Sequence, residues 1–301
     1  MDKPLVSVLI PVRNEALHIE ACLASVMTCE PGPMARGIEV VVVDDHSSDE
    51  TAAIVALLAA SAPRWPVRFT SNPGRGTAAA LNHAYVVAKG EVLVLLGGDD
   101  LVVPHNFPAR VTPLLTKAPA VLACRYLTMS DDPRLDGVLM PRRIQADHIA
   151  GGATSFNRAF AERYFPIPPQ LPNEDTWLRA VILRDAIPVL RIGSVGLRYR
   201  LHEGNSTGQN RSFSQVDKAL ARRHAAYRLA LETQGGQSSA GRARLTALVR
   251  AEALRAAGRW YAIPFVRGLS RGDMVTCIAN SRLWLYNLKT QAVRRRLRAR
   301  R

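Results

Sequence analysis

The chain has 301 residues, 48% of them hydrophobic, and a formal net charge of +15. That length suits one large α/β domain with an appendage or two modest domains, and the apolar content is ordinary for a protein with a real core. No run approaches the ~18 apolar residues of a membrane span, and the N-terminus lacks a signal-peptide pattern, so a cytosolic protein is expected.

The excess charge is not spread evenly. Residues 1–214 hold 21 Lys+Arg and 21 Asp+Glu, whereas residues 215–301 hold 19 and 4, a net of +15. A neutral body and a basic tail call for separate explanations. Cys22, Cys29, Cys124 and Cys277 show no CxxC spacing and read as free, mostly buried thiols, which disfavours a zinc site or a cysteine nucleophile.

In chain order, Leu5–Ile10 is a β-rich run, and Pro11 with Arg13, Asn14 and Glu15 forms the turn after it. A helical pattern through Leu17, Cys22, Leu23 and Val26 follows. Ile38–Val43 is nearly all apolar, as expected of a parallel strand covered on both faces, and it ends in Asp44 and Asp45. Ser47 and Glu50 fit an S-x-x-E capping box, a more economical role for them than ligand binding. Val67–Thr70 predicts a third strand, and the turn Asn72–Gly76 leads into a helix over Thr77–Ala88. The strand Val92–Leu96 then delivers Asp99 and Asp100.

A helix is expected near Asn106–Lys117, a strand near Ala120–Arg125, an irregular stretch over 126–150, a helix over Thr176–Arg184, and closing strands over Ala186–Ile192 and Val195–Leu201. Beyond Asn205 the pattern turns helical, with Val216, Leu220, Tyr227 and Leu231 on one face and a linker at 234–241. A second helix places Leu245, Leu248, Val249 and Trp260 together. The stretch Val275–Leu288 is apolar nearly all round, and six arginines crowd the last eight residues. The fold class expected is α/β with a mostly parallel central sheet plus a C-terminal α-helical extension, divided as 1–210 and 211–301.

Two adjacent carboxylates repel, so one of Asp99 and Asp100 is pushed toward protonation unless a cation resolves the conflict. A divalent metal does so and also attracts phosphate oxygens. At this point a metal–diphosphate site and a plain solvated turn are both open. Acidic turns recur after other predicted strands, at Asp44/Asp45, and again at Asn173, Glu174 and Asp175. In an open α/β sheet such ends face one crevice.

The run from Val6 to Glu15 (VSVLIPVRNE) and that from Val42 to Thr51 (VVDDHSSDET) resemble the start of a family 2 glycosyltransferase of the GT-A fold. Asn72–Gly76 (NPGRG), Ala80–Asn82, Gly98-Asp99-Asp100 in the DxD position and Asn173–Trp177 (NEDTW) follow in the family's order. The resemblance covers roughly residues 5–205.

The resemblance implies a nucleoside-diphosphate sugar donor, UDP-linked, a glycan or glycolipid acceptor, and a Mn²⁺ or Mg²⁺ ion. It implies that Asp45 meets the nucleobase, that Pro11 and Arg13 line the base and ribose pocket, and that Arg75 meets the base or phosphate side. Glu15 stands in the same turn, either bracing it or meeting the donor. Asp100 is implied as metal ligand, with Asp99 reaching ribose or sugar; Gly98 in place of a first acid leaves open which of the two meets metal. His202 is a further metal or diphosphate candidate beside the reading of an ordinary loop histidine. Asp175 is implied as the general base of an inverting displacement, and Glu174 and Trp177 lie on the acceptor side, where Trp177 could equally be core.

Processive synthases carry Q-x-x-R-W; Arg64-Trp65 and Arg259-Trp260 lack the glutamine, so addition of one sugar is expected. A catalytically degenerate binding or scaffold protein and a sugar-nucleotide pyrophosphorylase are the rival readings. The basic tail lacks interleaved aromatics for nucleic acid. With Trp284 and Tyr286 beside it, the Arg cluster suits reversible attachment to an anionic membrane surface, on the inner face of the cell membrane.

Overall fold

The computed structural model describes residues 6–31, 37–61, 63–141, 149–171, 173–201, 212–233 and 238–298. Packing divides the chain into two units, one of Met1–Arg179 with Ile187–Ser206 and one of Ala180–Ala186 with Thr207–Arg301.

The first unit is built on β1 (Val6–Val12), β2 (Ile38–Asp44), β3 (Val67–Ser71) and β4 (Val92–Leu95), which pair in parallel in the order β3-β2-β1-β4. All seven residues of β2 are buried, as its apolar run predicts for a strand covered on both faces. Helices α1 (Ile19–Met27), α2 (Thr51–Ala60) and α3 (Thr77–Val87) are the crossovers. One charge lies inside this layer. Glu39 accepts from Ser7 Oγ at 2.6 Å and from Arg68 Nε at 3.1 Å, so its buried carboxylate is fully partnered.

Past β4 the sheet is mixed, not mostly parallel. β8 (Thr154–Asn157) lies between β4 and β6 (Val121–Met129), antiparallel to both. β9 (Val189–Arg200) runs parallel to β6; β5 (Leu101–Val102) and β7 (Leu139–Met140) pair antiparallel with β9 and β6. The four residues of β8, Thr-Ser-Phe-Asn, carry no apolar alternation, so sheet hydrogen bonds on both sides hold a strand the sequence does not announce. Helix α5 (Arg158–Tyr164) follows at once, capped by Asn157, whose side chain accepts from Phe160 N–H.

Other expectations change in detail. The helix expected at Asn106–Lys117 reduces to α4 (Phe107–Val111) between 3-10 turns. The stretch expected to be irregular from residue 126 begins as the outer half of β6. The two closing strands are one, β9, whose pairing with β6 shifts register around Ala123–Tyr126. There is no capping box at α2: Ser47 Oγ instead accepts from Asn14 N–H at 2.9 Å.

The second unit is helical. It contains α7 (Phe213–Glu232), α8 (Ser239–Ala256), a 3-10 turn at Trp260–Phe265, α9 (Arg271–Ala279) and α10 (Leu283–Arg298). Ser212 and Gln215 form a reciprocal capping box at α7. Inside, Arg255 bonds both oxygens of Glu252 (2.6 and 2.7 Å) and Asp217 (2.6 Å). Trp260, expected on the face of the second helix, lies beyond it and is partly exposed. Among the described residues no helix is long and apolar enough to cross a membrane.

Candidate active site

Parallel pairing brings the carboxyl ends of β1, β2 and β4 to one edge of the sheet, and the turns that follow them meet there. After β2, Asp45 is buried; its N–H continues the ladder to Val12 O at 2.8 Å. Its carboxylate accepts from Asn72 Nδ2 at 2.7 Å and from Gly76 N–H at 2.9 Å to either oxygen. Gly76 has φ +87°, a conformation that favours glycine. Asp45 therefore shapes the Asn72–Gly76 loop and leaves Arg75 exposed on it. This structural task lies beside the base contact implied for Asp45.

The turn after β1 is braced against the β2–α2 loop. Asn14, at φ +56°, accepts from Ser48 N–H through Oδ1 at 2.8 Å, and Glu15 N–H donates to Thr51 Oγ1 at 2.8 Å. Pro11 is partly covered and Arg13 exposed. The Glu15 side chain turns inward: burial first, then the charges of Asp99 and Asp49, raise its carboxyl to about 7.

The Gly97-Gly98 pair after β4 makes room for the acids. A Cβ on Gly97 would lie 2.7 Å from Asp99 Oδ1 and 3.1 Å from Asp100 Oδ2; one on Gly98 would lie 2.7 Å from Val12 Cγ1. Asp100 is 2% exposed and its Oδ1 accepts Arg200 N–H, at the end of β9, at 2.9 Å. Burial, followed by the charge of Asp99, holds its carboxyl well above the usual range. The conflict expected of adjacent acids is present in the fold.

Opposite Asp100 stands a 3-10 turn, Gly151–Ala153, which precedes β8 at the same edge. A Cβ on Gly152 would lie 3.1 Å from Asp100 Oδ2, and Glu174 Oε1 rests directly against Gly151. Glu174 and Asp175 form the first turn of α6 (Glu174–Asp185), where a helix N-terminus favours negative charge. Burial and then the Asp175 charge nevertheless raise Glu174 to about 7. Thr176 Oγ1 lies 3.1 Å from Asp175 Oδ1. Trp177 is buried and its indole N–H donates to Tyr164 O at 2.9 Å, so its ring packs in the interior.

Arg110 went unnoticed in the sequence. Fully buried on α4, it donates to Gly152 O at 2.8 Å, Gly196 O at 3.1 Å and Ser155 Oγ at 3.3 Å. It thereby ties the glycine turn facing Asp100 to β9. An arginine in a short proline-flanked helix reads as solvated, and no sequence signal marks it. Its stem passes Gly196, where a Cβ would lie 2.7 Å from Arg110 Cδ.

Among the described residues no group of three or more His, Cys, Asp or Glu is arranged to hold a metal ion. His202 lies outside the described residues. At this edge burial, and then the charge of Asp99, raise the carboxyls of both Asp100 and Glu15.

The profile of the family described as glycosyl transferase family 2 matches residues 7–167, more than half of the chain. The chain belongs to glycosyl transferase family 2. This family 2 glycosyltransferase is 33% identical over 147 residues to an uncharacterised protein of Mycobacterium tuberculosis, covering 49% of this chain and 39% of that protein. It is 34% identical over 125 residues to a chondroitin synthase of Pasteurella multocida, covering 42% of this chain and 12% of the synthase. The chain thus spans well under two thirds of these curated relatives. Two solved structures share the fold. One is a mannosyltransferase from Pyrobaculum calidifontis in complex with GDP-Man and Mn²⁺ (TM-score 0.60, 18% identity, covering 96% of this chain and 87% of that one). The other is S. aureus TarS in complex with UDP-GlcNAc (TM-score 0.58, 14% identity, 92% and 80%).

Proposed function

We propose that this family 2 glycosyltransferase moves one sugar from a nucleoside-diphosphate sugar, UDP-linked, to a hydroxyl of a glycan or glycolipid, with inversion and with a divalent cation. The observation that carries the reading is the Asp99–Asp100 turn. Asp100 is buried beside a second acid, oriented by Arg200 N–H, and faces a glycine turn that Glu174 abuts from outside.

The residues fit a cation. Burial and Asp99 oppose the ionisation of Asp100, and the N–H and charge of Arg200 offset them only in part. Mg²⁺ or Mn²⁺ held by Asp100, with Asp99 and the diphosphate, would favour the carboxylate form and draw charge off the leaving group. Asp45 and the Asn72–Gly76 loop would take the base, with Pro11 and Arg13 beside it, Arg75 turned to the phosphate side and Glu15 bracing the cation side. Glu174 and Asp175 stand at the acceptor side. Asp175, partly buried in the first turn of α6, would accept the proton of the attacking hydroxyl, a contribution of ~10²–10⁴ in rate.

Relatives such as the chondroitin synthase support a glycan acceptor, and an undecaprenyl-phosphate 4-deoxy-4-formamido-L-arabinose transferase of Aeromonas hydrophila, 32% identical over 110 residues, supports a lipid-linked one. The net charge of +15 over residues 215–301 supports reversible attachment to an anionic membrane surface. Thermal-shift measurements across UDP, GDP, CDP and TDP, with and without Mn²⁺, test the donor. A metal-dependent stabilisation by UDP is expected; none by any nucleotide would refute the proposal.

A further inference from the structure

The sequence directs attention to the arginine tail, but the second unit carries a second feature that the tail does not explain. Trp260 on the 3-10 turn and Trp284 on α10 meet edge to face, ring centroids 5.9 Å apart, and Tyr261 stands 6.1 Å from Trp260. These rings are not packed away. Phe265, at the end of the same turn, is 83% exposed, Tyr261 61% and Trp284 51%; Leu288, one turn along α10 from Trp284, is 55% exposed. Tyr286 faces the other way, its ring 5.8 Å from Phe213, so it is not part of this surface.

The geometry has a structural tie. Arg282 Nε donates to Gly258 O at 3.1 Å, which pins the residue before α10 to a point two residues before the 3-10 turn. Arg259, Arg267, Arg271 and Arg282 are all exposed around these elements in sequence. Across residues 259–301 there are eleven Lys+Arg and one acid, Asp273.

We propose that the ledge formed by Trp260, Tyr261, Phe265, Trp284 and Leu288 is a face that inserts into an anionic lipid interface, with the surrounding arginines on the headgroups. This deepens the membrane-surface reading and rests on it. Tryptophan and tyrosine present an apolar body and a polar tip, which suits the headgroup boundary. Arginine stems spread over apolar surface while their guanidinium groups reach phosphate. A second copy of the chain is a poor occupant, because two such faces would bring like charge together. The arginines supply long-range attraction, and the ledge supplies depth that salt does not screen.

The test uses the full-length protein and vesicles of phosphatidylcholine with and without 30% phosphatidylglycerol, read by flotation and by tryptophan emission. Binding to the anionic vesicles with a blue shift is expected. The variant Phe265→Ser/Leu288→Ser changes only exposed side chains and should lower partitioning at least about tenfold, with the fold checked by circular dichroism. Replacing Arg294, Arg295 and Arg296 by Gln should weaken binding chiefly at low salt and leave the blue shift of the bound fraction. If the ledge variant binds as well as the wild type while the arginine variant does not, the ledge proposal is overturned and the membrane reading stands. If the wild type binds no vesicle, the membrane reading itself fails. If the wild type is a dimer that the ledge variant makes monomeric, without any effect on vesicle binding, the face is a self-interface and the proposal is wrong.

Discussion

Arg200 holds Asp100 by its main chain and the neighbouring Asp99 by its side chain. The Arg200 N–H donates to Asp100 Oδ1 at 2.9 Å, and its Nε reaches back to the carbonyl of Asp99 at 2.9 Å. The last residue of β9 thus clamps a turn made one hundred residues earlier. The main-chain bond survives any side-chain change, so Arg200→Ala should keep Asp100 oriented but loosen the turn. Hydrogen bonds from charged groups contribute ~1.5–3 kcal/mol, so apparent Mn²⁺ affinity in a donor-binding titration should fall about tenfold. An unchanged titration would show that the clamp is structural alone.

Asp175 and Asp100 should separate binding from chemistry. Asp175→Asn is expected to lower kcat by ~10²–10⁴ while the nucleotide-induced thermal shift persists. Asp100→Asn should abolish the metal-dependent part of that shift. If Asp175→Asn turns over normally, the base lies elsewhere, and Glu174 becomes the next residue to change.

The glycine turn gives a steric prediction. A Cβ at position 152 would stand 3.1 Å from Asp100 Oδ2, tighter than ordinary contact. Small displacements of catalytic groups are costly, up to ~10²-fold for about 1 Å. Gly152→Ala should therefore cut kcat/KM by about tenfold or more with little change in Tm.

Arg110 should behave in the opposite way, through stability first. Arg110→Met removes the guanidinium donor of the Gly152 carbonyl, while the Gly196 carbonyl keeps Val103 N–H, and a buried unsatisfied group costs ~1–3 kcal/mol. A lowered denaturation midpoint is expected. Arg110→Lys, a shorter point charge without the planar fork, should recover only part of it.

Glu174 provides a pH signature. Its carboxyl is raised from 4.5 to about 7, first by burial and then by Asp175. The folded state therefore binds a proton that the unfolded state has released between those values, and the stability it contributes, complete below pH 4.5, is lost as pH rises through about 7. The wild-type Tm should fall between pH 5 and pH 8 more than that of Glu174→Gln. Glu15, raised likewise to about 7, adds to the slope that remains in the variant. Parallel Tm curves for the two proteins would contradict the assignment.

Much of the architecture was written locally. The buried runs of β1 and β2, the acids at their carboxyl ends and the glycine-rich turn before α3 follow from residue period and turn chemistry, because each depends on neighbours in sequence. The order of the motifs was enough to point to the family whose profile the chain matches. β8 could not be read that way, since a short polar strand is made by its partners on either side. Nor could the inward turn of Trp177, or that of Tyr286, because a helical period says which residues share a face and not what covers it.

By itself, then, the sequence determined the parallel half of the sheet, the acids placed at its carboxyl edge and the basic charge of the C-terminal helices. Only the tertiary structure decided that Asp100 is buried under Arg200 N–H, that Gly151 and Gly152 stand between it and Glu174, and that Arg110 holds that turn. The physical reason is range. Period and turn preference act over a few residues, whereas the burial that shifts a carboxyl, and the carbonyls that accept from a buried guanidinium, come from segments forty to a hundred residues away.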